Sequence, residues 1–159
     1  IAGLIFLMVF IALPALQRNQ RDAQRKNDMS LFVDALQRYA ANNKGRYPSV
    51  GGSGGGPVNS SNAPEVYNFA LRYLNWPGQG APAGDKSFID PSSGLGYVIM
   101  YMNHHPANIE NSGTNFNGIG YSPKARCIEP GNIYPVYDTN AIAVWIKLES
   151  GGTNCVQVR

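Results

Sequence analysis

The sequence predicts an α+β protein in which one long N-terminal α-helix packs on a C-terminal antiparallel β-sheet head domain. Three observations support this prediction. No glycine or proline interrupts the chain between Pro14 and Gly45, so a helix can run through that stretch. Apolar residues recur at helical spacing in its second half, and short apolar runs separated by turn residues follow in the last third of the chain. At 159 residues the chain has room for one domain with its own core.

The first sixteen residues, IAGLIFLMVFIALPAL, contain no charged or strongly polar side chain. As a helix they would measure about 24 Å, shorter than the ~30 Å hydrocarbon core of a bilayer, so we expect further apolar residues upstream. A helix that is apolar on every face needs apolar surroundings on every face. Identical helices in a filament core provide such surroundings; a membrane anchor and a cleaved signal peptide are the alternatives. The predicted filament-core residues are Ile1, Leu4, Ile5, Phe6, Leu7, Val9, Phe10, Ile11 and Leu13.

Gly3 and Pro14 lie inside this predicted helix, and each of them weakens it. Glycine costs backbone entropy, and proline removes one hydrogen bond and clashes with the preceding turn. We therefore expect a local break between the two residues. The alternative is that both are tolerated, as they are in many membrane helices.

The second half of the long helix is amphipathic. Leu31, Phe32, Ala35, Leu36 and Tyr39 recur at helical spacing and form one apolar face. We expect this face to dock against the head domain, whereas the first half of the helix projects from it.

A cluster of basic residues marks the end of the apolar half. Its members are Arg18, Arg21, Arg25 and Lys26. We interpret the cluster as a solvated helix face, with contact to anionic lipid or nucleic acid as the weaker alternative. The net charge of +3 is too small to indicate a polyanionic partner, so nucleic-acid binding is not expected. The predicted division of the chain places the apolar half with its basic end at residues 1–26 and the head, including the docked helix half, at residues 27–159.

Shorter elements follow the long helix. Residues 51–64 are rich in glycine and serine and predict a surface loop. A short helix should begin near Pro64, with one apolar face formed by Val66, Phe69, Ala70, Tyr73 and Leu74. Extended segments are predicted at Tyr97–Met102, Lys124–Ile128, Ile133–Tyr137, Ala141–Leu148 and Cys155–Val158. Because short turns separate these segments, we expect an antiparallel sheet.

No group of residues predicts an enzyme. His104 and His105 are adjacent, so their side chains point in different directions and form a poor metal chelate. The carboxylates are scattered singly, and no phosphate-binding glycine loop, nucleophile elbow or metalloprotease motif occurs. We therefore expect no catalytic residue, no cofactor and no bound metal.

The two cysteines, Cys127 and Cys155, share no close spacing typical of a redox or zinc motif. We expect them to form one disulfide in an oxidising compartment, tying the strand near Ile128 to the final strand. The alternative is a pair of buried free thiols in a reducing compartment.

Four features together resemble the type IV pilins and the related type II secretion pseudopilins. They are the apolar terminal helix with Gly3 and Pro14, the segment ALQRYAANNKGRYPS at the end of the long helix, DPSSGLGYVIMY, and the C-terminal VWIKLESGGTNCVQVR with its cysteine. ALQRYAANNKGRYPS is the most specific, since this family often ends its long helix with a tyrosine, a turn and the phrase RYP. A C-terminal cysteine pair favours a pilin over a pseudopilin.

The resemblance implies a structural subunit of an extracellular filament. Such a subunit resides in the cytoplasmic membrane before assembly, loses a leader to a prepilin peptidase, and is stacked by a pilus assembly machinery. Its partners in the filament are copies of itself, with the apolar helices inside and the heads outside at the cell surface. The rival from another functional class is a membrane-anchored extracellular binding module.

Overall fold

One long helix and a five-stranded sheet dominate the computed structural model of this chain. This architecture confirms the predicted α+β class. The structure describes residues 2–51, 55–102, 118–123, 125–129, 132–135 and 141–158. It describes the backbone alone at residues 2, 4–11, 128, 129 and 132–135.

Helix α1 spans Ala2–Asn42, 41 residues, and is therefore about 60 Å long. It ends in a turn where the Gly45 N–H donates to the Ala40 carbonyl at 2.8 Å, with a φ of +78° at Gly45 that glycine adopts without penalty. The helix runs through Gly3 and Pro14 without interruption, so the predicted break does not occur in this structure. Proline removes a single N–H donor, and the helical hydrogen bonds on either side of it maintain the helix.

Seven strands follow α1 in the described part of the chain. They are β1 Gly55–Pro57, β2 Val98–Met102, β3 Gly118–Pro123, β4 Ala125–Glu129, β5 Asn132–Pro135, β6 Ile142–Lys147 and β7 Thr153–Val158. Five of them form the central sheet in the order β1-β2-β3-β6-β7. Strands β4 and β5 pair with each other in a separate two-stranded sheet.

The central sheet is mixed, which corrects the prediction of an antiparallel sheet. Strands β2 and β3 run parallel, with Ile99 opposite Ile119, whereas the other neighbouring pairs are antiparallel. Residues 103–117 separate β2 from β3. That connection exceeds the dozen or so residues that a crossover between parallel strands requires. The inference from short turns therefore failed at this long connection.

Each predicted extended segment overlaps a strand, but two strands were missed. Strand β1 lies inside residues 51–64, which were predicted to be a loop. Strand β3 has the sequence GIGYSP, whose glycines and proline are typical of turns. Both missed strands belong to the central sheet, so the sequence pattern predicted too few strands for that sheet.

The main core lies between the central sheet and the two helices. Helix α2 spans Pro64–Tyr73, and its buried residues are the predicted Val66, Phe69 and Ala70. Phe32 of α1 is fully buried and lies 5.5 Å from the Phe69 ring and 6.3 Å from the Tyr121 ring of β3, centroid to centroid. The predicted apolar face of the long helix therefore docks on the head, with one exception. Leu31 is 49% exposed, so its assignment to the docked face was wrong. It comes one position before Phe32 and therefore lies about 100° away from it around the helix.

A smaller core lies on the other side of the sheet. Trp145 of β6 packs there with Ala125 and Cys127 of β4. Its indole covers the backbone of Gly120 on the paired strand: a Cβ added at Gly120 would lie 1.9 Å from Cε2 of the indole. Only glycine fits beneath this tryptophan, which explains a turn-like residue in the middle of a strand.

Candidate functional site

The first half of α1 exposes its side chains wherever the structure describes them. Residues 12–20 are all exposed, and Leu13 and Leu16 expose 46% and 56% of their surface. Of the predicted filament-core residues, Leu13 alone has a described side chain; Ile1 and the side chains at positions 4–11 lie outside the described part. Among the described residues no helix is long and apolar enough to cross a membrane.

Contact between α1 and the head begins at Arg21. The first buried residue among the described side chains is Asp22, followed along the same face by Arg25, Asp28 and Met29. Spacings of three and four residues place these side chains on one stripe of the helix. The docked stripe therefore starts with charged residues and becomes apolar only from Met29 onward.

Arg25 lies at the centre of this charged start and exposes 2% of its surface. Its Nε and Nη2 donate to Oδ1 of Asp90, at 3.2 and 2.9 Å, and Asp90 is equally buried. Nη2 also donates to the Ser92 hydroxyl at 3.0 Å and lies 3.1 Å from Oε1 of Glu149. One guanidinium thus joins the helix to two separate loops of the head.

Arg21 and Asp22 add two further connections to the turn between β6 and β7. Arg21 binds Glu149 with two nitrogens, Nε to Oε1 at 2.9 Å and Nη2 to Oε2 at 2.6 Å. The Asp22 carboxylate accepts the backbone N–H groups of Glu149 and Ser150 at 2.7 and 2.9 Å. We call the charged group Arg21, Asp22, Arg25, Asp90 and Glu149 the polar clamp.

The clamp carboxylates are held in their charged form. Burial opposes ionisation of Asp90, but hydrogen bonds from Ser92 and Arg25 outweigh it and lower the pKa of Asp90. Burial likewise opposes ionisation of Asp22, whose pKa is lowered by hydrogen bonds from Ser150 and Glu149. The pKa of Glu149 is lowered chiefly by its hydrogen bond from Arg21. Three ionised carboxylates therefore surround two guanidinium groups.

Asp28 lies one helical turn beyond the clamp. Its Oδ2 accepts the Tyr97 hydroxyl at 2.8 Å, and both groups are buried. Burial raises the pKa of Asp28, and burial together with the neighbouring Asp28 raises the pKa of Tyr97. This hydrogen bond fixes the docked stripe to the residue that immediately precedes β2.

The structure corrects the interpretation of the basic cluster as a solvated face. Arg18 and Lys26 are exposed as predicted, but Arg21 and Arg25 bind acidic partners in the head. The partners were missed because they lie 128 and 65 residues away. One signal was present: continuing the apolar stripe backward from Phe32 by helical spacing places Arg25 on the buried face.

The predicted disulfide between Cys127 and Cys155 is confirmed. It joins β4 to β7, with 6.0 Å between the two Cα atoms, and ties the two-stranded sheet over Trp145. His104 and His105 lie outside the described residues, so the structure does not bear on them.

No family model, no curated protein and no solved structure matches this chain. Its functional interpretation therefore depends on the arrangement itself: an exposed apolar helix half, a docked half, and buried charges where the two meet.

Proposed function

We propose that this chain is the structural subunit of an extracellular filament of the type IV pilin kind, which assembles through the first half of α1. One observation supports it above the others. A single uninterrupted helix leaves residues 12–20 exposed and then enters the head through the polar clamp.

The exposed half is suited to burial against copies of itself. Leu13 and Leu16 are about half exposed, and the sequence before them has no charged residue back to Ile1. Burying one leucine side chain completely stabilises a complex by about 1.5–3 kcal/mol. Packing among identical helices keeps these side chains out of water once the subunit has left the membrane, at many positions and without burying an unpaired charge.

The clamp favours a filament over a simple membrane anchor. An anchor needs only a flexible connection to its head, whereas helical stacking needs the same angle between helix and head in every subunit. Three α1 residues fixed to two loops of the head supply such a defined angle. The disulfide agrees with the extracellular location, because disulfides persist in oxidising compartments.

In this proposal the chain resides in the cytoplasmic membrane before assembly and reaches the cell surface as a homopolymer. A prepilin peptidase and a pilus assembly machinery are its further partners, as the sequence resemblance implies.

Electron microscopy of material sheared from cells that produce the chain tests the proposal. We expect helical filaments that an antibody against the head decorates. A Leu13→Asp/Leu16→Asp variant should yield none, because each subunit would bring unpaired charges into a water-free bundle. The matched control is Leu71→Asp, an equally drastic change at a leucine that is 39% exposed on α2. A membrane-embedded monomer from the unchanged chain, or normal filaments from the double variant, would overturn the proposal.

A further inference from the structure

A groove lies at the end of the head where the last turn of α1 meets α2. Its volume is about 390 Å³, within the range of small-ligand sites. Aromatic side chains of both helices line it, together with amide and charged side chains. Neither the clamp nor the exposed half of α1 contributes to it.

Two aromatic rings form the apolar wall of the groove, and a third ring packs against both of them. Tyr39 and Tyr73 are half-buried and offer surface to a ligand, whereas Phe69 exposes 1% of its surface and holds the two tyrosines in place. Tyr39 makes T-shaped contacts with the other two rings, at centroid distances of 5.7 Å to Phe69 and 5.6 Å to Tyr73. Phe69 and Tyr73 are stacked at 5.7 Å. Because each ring contacts the other two, the wall is ordered before any ligand arrives.

Polar groups surround this wall. Asn42 donates to the Tyr73 hydroxyl at 3.2 Å, which leaves its carbonyl oxygen for a ligand. Asn68 and Arg72 lie exposed on α2, and within the described part of the chain their side chains have no hydrogen-bond or ion-pair partner. Glu65 accepts the backbone N–H of Ser49 with one oxygen. The groove thus offers both donors and acceptors, and its single carboxylate and single guanidinium balance in charge.

We propose that this groove binds a neutral saccharide. The C–H face of a sugar ring packs against the electron-rich face of an aromatic ring, and its hydroxyls both donate and accept hydrogen bonds. Asn42, Asn68 and Arg72 supply the complementary atoms. A purely apolar ligand would leave these groups without partners. An anion would face Glu65, and a cation would face Arg72, so the balanced lining favours a neutral ligand.

The groove is separate from the assembly surface. Leu16 and Asn42 are 26 positions apart in α1, which corresponds to about 39 Å along the helix. Saccharide binding therefore does not depend on filament formation, and either proposal can fail without the other.

The test uses the full chain in a poly(ethylene glycol) ether detergent, because the head groups of glycoside detergents are themselves saccharides. An array of neutral oligosaccharides identifies the best ligand, and calorimetric titration measures its affinity. Asn68→Ala/Arg72→Ala should weaken binding about tenfold or more, since two hydrogen bonds are lost. Leu71→Ala, on the same helix but outside the groove lining, should bind within about twofold of the unchanged chain.

Both altered groove residues are exposed and have no hydrogen-bond or ion-pair partner among the described residues, so the double variant should melt like the unchanged chain. In a nuclear magnetic resonance titration, the side-chain amide signals of Asn42 and Asn68 should shift on adding the saccharide. No binding to any neutral oligosaccharide, stronger binding of charged oligosaccharides, or unchanged affinity in the double variant would each overturn the proposal.

Discussion

Replacing Arg25 by methionine tests the polar clamp directly. Methionine approximates the aliphatic stem of arginine and is apolar, so the change removes the charged guanidinium while keeping the packing of the stem. Oδ1 of Asp90 would lose both of its bonds from Arg25. Its Oδ2 would keep the hydroxyl of Ser92 and the backbone N–H of Ser93. The variant therefore leaves a buried, partly satisfied carboxylate without its cation.

Removing one partner of a buried ion pair typically costs about 3–5 kcal/mol. The two hydrogen bonds that Asp90 retains place the expected loss near the lower end, at about 3 kcal/mol. A typical domain is stable by about 5–15 kcal/mol, so the loss is large enough to measure and small enough for the head to fold. Glu149 contributes less, because it keeps Arg21.

Urea denaturation of a chain lacking residues 1–16, followed by near-ultraviolet circular dichroism, measures this loss. Lys26→Met is the matched control, since Lys26 is the next residue and is exposed. It should change the free energy of unfolding by less than about 0.5 kcal/mol. In the double variant Arg25→Met/Asp90→Asn neither member of the pair is charged. The double variant should therefore regain at least half of the unfolding free energy that Arg25→Met loses.

Two results would contradict this reasoning. A loss below about 1 kcal/mol for Arg25→Met would show that the pair is no more than a surface contact. A double variant as unstable as Arg25→Met would show that the unpaired charge of Asp90 is not the cause of the loss.

Three further predictions concern the head. Deleting residues 1–16 should leave the unfolding free energy of the head unchanged. Deleting residues 1–25 also removes Arg21, Asp22 and Arg25, the α1 residues of the clamp, and should destabilise the head by several kcal/mol in the same urea assay. Because the pKa values of the clamp carboxylates are lowered, these groups stabilise the head fully above the ordinary carboxylate range near pH 4. The stabilisation is lost as the pH falls through the lowered pKa values. Denaturation at a series of pH values should therefore show that the unfolding free energy of Arg25→Met decreases less in acid than that of the unchanged chain. Reducing the disulfide should lower the unfolding free energy by about 3.6 kcal/mol, the value expected for the length of the loop that it closes. Reduction should also expose Trp145 to acrylamide quenching. Labelling of both cysteines without reductant would show that the bond is absent.

Local sequence patterns predicted the elements that local interactions specify. The long helix follows from an uninterrupted run of helix-compatible residues, and α2 follows from its initial proline and its apolar spacing. The apolar run YVIMYM contains β2. In each case the side-chain pattern within a dozen residues was sufficient.

The features that sequence patterns did not predict depend on contacts between residues that are far apart in the sequence. Strand β3 contains Gly120 because the Trp145 indole occupies the space that a side chain would need, and that tryptophan is 25 residues further on. The parallel pairing of β2 and β3 depends on the path of a long connection. Arg25 and Arg21 were placed in solvent because their partners come from loops in the middle and at the end of the chain.

The position of the clamp along α1 suggests why charges are buried there at all. If the docked stripe were apolar throughout and continued into the apolar first half of α1, nothing would fix the position of the head along the helix. Arg25 reaches both Asp90 and Glu149 in one register only, since a shift by one helical turn moves it about 5.4 Å and breaks every contact. We therefore hypothesise that the clamp sets register more than it adds stability, a role that buried polar groups have in some coiled coils. If the proposed filament forms, the double variant Arg25→Met/Asp90→Asn should assemble with heads in variable orientation. Image averaging of its filaments would then lose the head density while keeping the helical core, and heads as well ordered as in the unchanged filament would contradict the hypothesis.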